Sequence, residues 1–350
     1  MEGRLSEIRV LREKHSISYM TRKKYNYFLI ATLLVLLIFV SLLSIFWGQF
    51  NVTLNELLRN LVSPKGEVGA LLWDIRIPRL FTSILVGASL SLAGVLLQST
   101  LRNPMASPIT LGISHGAMFG AAFAILFLPL KLPFVVTFSA FVGSLLTAVF
   151  ILFLSYIKRL SAEAIVLSGI AINMLLTSAT MFLKYLSNEI QLSEIVYWSF
   201  GDVNRGNWDT IILQFLFFVP IFLFVLLKRW DFNAFYLGEE VSKSLGINVE
   251  IVRLLGLTLA SLLTAFSVSA VGIIPFLGLI SPHLARLISG NEHGQLIFTS
   301  SLVGAVLLVL SDILSRVVLS PTVVPVSIVT SFLGVPIFLY LLIKLEGRRY

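Results

Sequence analysis

The chain has 350 residues, 57% of them hydrophobic and only 13% charged, with a mean hydropathy of +0.94. A soluble globular protein carries about 25% charged residues, so this composition belongs in a lipid bilayer and leaves no room for a soluble domain of ordinary size. Cysteine is absent, which excludes disulfides, thiolate nucleophiles and cysteine-ligated metal sites; the net charge of +8 is what Lys and Arg gathered in interhelical loops produce, so nucleic acid is not an expected partner.

In chain order, a basic segment at 1–26 leads into the first apolar run without a small-residue cleavage site, so that run reads as a retained span rather than a signal peptide. Runs near the ~20 residues needed to cross a bilayer recur at 27–47, 79–101, 113–130, 134–156, 164–186, 209–228, 250–270, 274–289, 295–315 and 328–344. They predict an all-α membrane protein of ten transmembrane helices over 27–344, with a short tail at 345–350. Placing both termini in the cytoplasm puts most of the 26 Lys and Arg residues in inner segments, as membrane topology requires. The long outer connections, 48–78 and 187–208, are then the expected external contact surfaces.

"WDIRIPRL" (73–80) puts Arg76 and Arg79 at the outer end of span two, where the charge rule favours neutrality; an acidic partner, an anionic solute or lipid phosphate would each account for them. "LRNPMASPITLGISHGA" (101–117) holds Asn103, Pro104, Pro108, Gly112 and His115. Its prolines forbid a continuous helix, which points to a structured re-entrant or inner-face segment, with a plain tight loop as the alternative the pattern equally allows. Small residues such as Gly87 and Gly94, or Gly116 and Gly120, predict close helix packing.

"YLGEEVSKSLGINVEIVR" (236–253) is a charged island between two apolar stretches. Read as one helix, it carries Leu237, Val241 and Leu245 as an apolar stripe with Glu239, Glu240 and Lys243 off it, and Gly246 as a C-terminal cap. In "AVGIIPFLGLISPHLARLISG" (270–290) kinks are expected at Pro275 and Pro282, and His283 is a candidate proton carrier or ligand. The other histidines supply no helical partner for it, so no metal site is expected. "LSDILSRVV" (310–318) spaces Asp312 and Arg316 as an i, i+4 pair near the outer end of span nine, suited to snorkelling or to partner docking.

The sequence has no phosphate-binding loop, no carboxylate at mid-depth in a span, and no H-E-x-x-H signature or convergent catalytic constellation, which argues against self-contained ATP hydrolysis, an ion-coupled secondary transporter and an intramembrane enzyme.

Together with "YWSFGDVNRGNWD" (197–209) and "PVSIVTSFLGVPIFLYLLIK" (325–344), these blocks resemble the FecCD/BtuC-type permease family, the membrane subunits of bacterial and archaeal ABC importers for iron–siderophores, haem and cobalamin. The resemblance spans nearly the whole chain. It implies ten helices per subunit in the cell membrane, a partner permease subunit forming a homodimer with the pathway at its interface, two cytoplasmic ATPase subunits and an extracytoplasmic solute-binding protein. It implies no cofactor and no enzymatic activity of this subunit.

The resemblance also assigns roles to residues. The loop at 229–249 would carry the ATPase-coupling helix, with Leu237, Gly238, Glu239, Glu240, Val241, Leu245 and Gly246. Arg76, Arg79 and Arg316 would receive acidic residues of the binding protein. Asn103, Pro104, Pro108, Gly112, Pro275, Pro282 and His283 would shape the structure or the pathway, span five would line it, and 161–168 would lie near the cytoplasmic gate. Ser107 stands where many relatives carry an acid. Ferric siderophore is the default cargo, and cobalamin, haem and oxyanion importers share the pattern.

Overall fold

The structure, a computed structural model, describes residues 2–47, 53–64, 66–128, 133–158 and 160–346; the side chains of the basic segment up to residue 23 and the tail beyond 346 lie outside the described residues. In a bilayer a backbone amide has no partner but its own chain, so apolar runs become helices, and all of the described secondary structure is helical. The chain runs through α1 (Glu2–Phe46), α2 (Leu54–Val62) and α3 (Gly66–Ala70), then a π turn (Leu71–Arg76) that merges into α4 (Ile77–Thr100). There follow α5 (Ile113–Phe127), α6 (Pro133–Tyr156), α7 (Ala162–Leu186) and α8 (Glu189–Ser199). After a 3₁₀ turn at Val203–Arg205 come α9 (Trp208–Leu227), α10 (Arg229–Leu237), α11 (Glu239–Ser244), α12 (Val249–Val271), α13 (Leu277–Ser289), α14 (His293–Val317) and α15 (Val326–Glu346).

Each predicted span falls on a helix. Among the described residues seven are long and apolar enough to cross a membrane, while Ile113–Phe127 and Val326–Leu341 are shorter apolar helices and α13 has 13 residues. Span two begins earlier than expected, because α3, the π turn and α4 form one rod from Gly66 to Thr100. The π register ends at Pro78, which has no amide hydrogen to offer the carbonyl of Trp73; that carbonyl instead accepts from Trp208 Nε1 at 2.9 Å.

The rod is the axis of the bundle: 89% of its apolar window is buried, against 17% for the window of α1. Glycines and serines make this burial possible. A methyl on Gly87 would overlap the carbonyl of Gly304 on α14, and one on Gly94 the carbonyl of Gly278 on α13, so backbone meets backbone on two sides of α4. Gly116 and Gly120 of α5 sit equally close to α6. Gly272 ends α12 with φ +83°.

Two helices start inside the bundle. The segment 101–112 leaves the end of α4 and is held by local caps: Asn103 Oδ1 accepts from Met105 N, while Ser107 and Thr110 bond each other's backbone amides. Gly112, at φ +80°, closes the turn with Gly112 N to Ile109 O and Ile113 N to Pro108 O, the pairing of a Schellman motif. The carbonyl of Ile109 accepts from Asn173 Nδ2, midway along α7, so the segment re-enters the bundle as expected.

The second interruption, 272–276, links α12 to α13 from the opposite end. Pro275 therefore does not kink a helix but lies ahead of one, a correction to the expected kink. Phe276 takes the strained φ of +70° and packs its ring against Gly334 of α15. Pro282 does lie inside α13. Its missing amide frees the carbonyl of Gly278, which, with that of Leu279, accepts from Gln98 Nε2 at 3.4 and 3.2 Å.

Candidate coupling and docking sites

Arg79 and Ser99 are 20 residues apart on α4, about 30 Å along a helix axis, so the polar groups at its two ends occupy opposite ends of the bundle.

At the first end three arginines converge. Arg79 Nε lies 2.6 Å from Asp312 Oδ1, and Arg316 Nη2 lies 3.0 Å from Asp312 Oδ2. Arg79 also reaches Ser315 Oγ at 3.5 Å and stands 4.0 Å from Asp202. Arg316 donates to the carbonyls of Ser44 and Trp47, and Arg76 to those of Ile45 and Phe46. These carbonyls end α1 and have no amide of their own helix to accept from, so the guanidiniums cap it and oppose its dipole. The i, i+4 pair of Asp312 and Arg316 thus forms as expected, but Arg76, Arg79 and Arg316 are each no more than 7% exposed. Within this single subunit the three guanidiniums close the bundle, through Asp312 and the end of α1.

Nearby, Arg205 donates to the carbonyls of Tyr197, Trp198 and Phe200 and so ties off the end of α8. Burial lowers its pKa, and the Asp202 carboxylate opposes that shift. The 187–208 connection is therefore largely a helix and a clamp, with Asn188 and Gln191 forming a capping box at the start of α8. Glu189 and Glu194 on its outer side are exposed.

At the opposite end the island at 236–253 is not one helix. Gly238, with φ +130°, separates α10 from the six-residue α11. Gly246, at φ +78°, ends α11 as expected: Gly246 N bonds to Lys243 O and Ile247 N to Ser242 O, again the Schellman pairing. Asn248 then caps α12, accepting from Ile251 N. A glycine at each break satisfies a backbone conformation that other residues enter only with strain.

The apolar stripe survives this division as exposed surface. Leu237 is 67%, Val241 41% and Leu245 62% exposed, although Phe232 and Phe235 anchor α10 in the core. Leu237 and Leu245 share an open hollow of about 600 Å³ with Trp230, Tyr236, Ile247 and Asn291. Glu240 is exposed, but Glu239 is paired with Arg253, so the two acids are not equivalent. Of the pathway candidates, His283 is half-buried on α13, and His115 and His293 lie on other helices; no group of three potential metal ligands converges among the described residues. Sequence reasoning gave no role to Asp202, Gln98, Arg253 or Asn233, since each acts on a residue far away in the chain.

A model of the FecCD transport family matches residues 36–344. An ABC transporter permease protein of Methanocaldococcus jannaschii is 42% identical over 340 residues, which cover 94% of this chain and 97% of its own. An Fe(3+)-citrate import system permease protein of Bacillus subtilis is 33% identical over 332 residues, covering 94% and 98%. A solved inward-facing structure of a metal-chelate type ABC transporter superposes with a TM-score of 0.81 at 29% identity, covering 90% of this chain and 98% of that one. With the family match running through nearly all the helices just described, the chain is a multi-pass membrane permease that belongs to the FecCD transport family.

Proposed function

We propose that this chain is the membrane subunit of an ABC importer that carries a ferric chelate, a siderophore in the default case, into the cell by alternating access. Two copies form the pathway, two ATPase subunits bind beneath them, and a solute-binding protein delivers cargo on the other side. All ten predicted spans cross the membrane, with both termini in the cytoplasm, so the end bearing α10 and α11 faces the ATPase subunits.

The observation that carries this reading is the α10–α11 segment: Phe232 and Phe235 hold it in the core while Leu237, Val241 and Leu245 remain exposed. Apolar groups clustered beside a hollow on a charged face suit a partner groove better than water. α7 supports the paired arrangement, since it keeps Leu167, Met174, Met181 and Tyr185 exposed while Asn173 fastens it to the re-entrant segment. The binding protein docks on the face carrying the exposed side of α8 rather than on the buried guanidiniums. ATP is hydrolysed on the separate subunits, and this chain supplies no covalent chemistry.

Uptake of radiolabelled ferric chelates, presented by the cognate binding protein to vesicles holding the permease and its ATPase subunits, tests the reading. ATP-dependent accumulation is expected. Uptake driven by a proton gradient without ATP would instead identify a secondary transporter.

A further inference from the structure

We propose that Arg253 and His293 are positioning residues that carry the movement of α10–α11 into the end of α4 and from there to α7. This rests on the reading of α10–α11 as the ATPase-docking segment.

Two polar links leave that segment and arrive at consecutive residues. In the first, Glu239 at the start of α11 pairs with Arg253, whose guanidinium also donates to Thr100 O at 3.4 Å and Leu160 O at 2.6 Å. In the second, Asn233 of α10 meets His293 Nδ1 at 2.8 Å, and His293 Nε2 meets Ser99 Oγ at 2.7 Å. The orientation of Asn233 is fixed by its other bonds: its Oδ1 also accepts the backbone amide of His293, and its Nδ2 donates to Glu292. Oδ1 can only accept, so His293 carries its hydrogen on Nδ1 and Nε2 accepts from the Ser99 hydroxyl. Arg253, His293, Ser99 and Thr100 are all at most 3% exposed.

Apolar contacts such as those of Phe232 and Phe235 can slide, whereas buried hydrogen bonds lose energy steeply when bent or stretched. A displaced α10–α11 therefore drags Ser99 and Thr100 with it. Beyond Thr100 the chain enters the segment whose Ile109 carbonyl is held by Asn173 of α7. Arg253 has a second route, because Leu160 immediately precedes Ser161, the N-cap of α7. Both routes end on α7, one at its start and one at its middle.

The absence of native cysteine makes a direct test available. Met174→Cys, on the face of α7 that is exposed in the single subunit and turned to the second copy in the proposed pair, reports the opening of the pathway between the copies by its rate of maleimide labelling in the complete complex with its ATPase subunits. In that background, trapping ATP on the ATPase should change the labelling rate by about fivefold or more. Ser99→Ala and Arg253→Met should each shrink that change while the ATPase subunits stay bound and the thermal midpoint is nearly kept for Ser99→Ala. Ser99→Thr, which retains the hydroxyl, should restore the response. Ser99→Ala combined with Asn233→Ala should be no worse than either alone, since both cut one link, whereas Ser99→Ala with Arg253→Met should abolish the response.

An undiminished response in Ser99→Ala and Arg253→Met would overturn the proposal and leave the docking reading intact. If the parent Met174→Cys permease does not retain the ATPase subunits at all, the docking reading falls and this inference falls with it. Should Arg253→Met not fold, Ser99→Ala, which removes a single hydroxyl, decides the matter alone.

Discussion

Arg79 and Asp312 meet at 2.6 Å across 233 positions of sequence, joining the axial helix α4 to α14 at the end of the bundle where Arg316 and Arg76 cap α1. Asp312 is fully buried and serves two guanidiniums at once. Removing it leaves Arg316 without its carboxylate and Arg79 with only Asp202 at 4.0 Å. Asp312→Leu should therefore destabilise the permease by about 3–5 kcal/mol, read as a fall in the thermal midpoint in detergent. Arg79→Met combined with Asp312→Leu should lose less than the single Asp312 variant. A double variant that is worse than both singles together would show that the pair is not the unit.

The exposed stripe and the paired acid at the other end should respond in opposite ways. Leu237→Asp or Leu245→Asp should weaken retention of the ATPase subunits by about tenfold with little effect on thermal stability, because both side chains stand in the open. Glu239→Gln should lower stability, because it strips a partner from buried Arg253. Thermal midpoints and co-purification, measured side by side, separate the two effects.

At Gly94 the carbonyl of Gly278 occupies the space of a side chain. Gly94→Ala should force α4 and α13 apart and cost about 1–3 kcal/mol, and Gly94→Val more. Stability unchanged in Gly94→Val would mean that the two helices are not in backbone contact.

Ser107 does the work of an acidic cap. Its hydroxyl accepts from Thr110 N, a bond that an aspartate makes equally well. Ser107→Asp should be tolerated and Ser107→Ala should cost about 1 kcal/mol, measurable as a shift in thermal midpoint. The departure from an acid at this position thus keeps the local geometry.

Much of this organisation is legible along the chain because it depends on neighbours in sequence. Apolar runs must be helical in lipid, Pro104 and Pro108 must interrupt them, Gly246 must end a helix, and Asp312 must face Arg316 one helical turn later. Sequence spacing also marks Leu237, Val241 and Leu245 as an apolar set, yet a continuous helix there is wrong because Gly238 takes a φ that helices do not allow.

What only the tertiary structure decided is where the charges go. Arg76, Arg79 and Arg316 read as surface groups, since nothing nearby in sequence could receive the first two; the end of α1 and the carboxylate of Asp312 arrive by folding and bury them. In the same way Arg253 is one more basic residue at a helix start until Glu239, Thr100 and Leu160 close around it. Periodicity and backbone chemistry fix the elements. Long-range pairing fixes which polar groups are buried, because the cost of an unpaired charge in a low-dielectric bundle is settled by whichever helix packs against it.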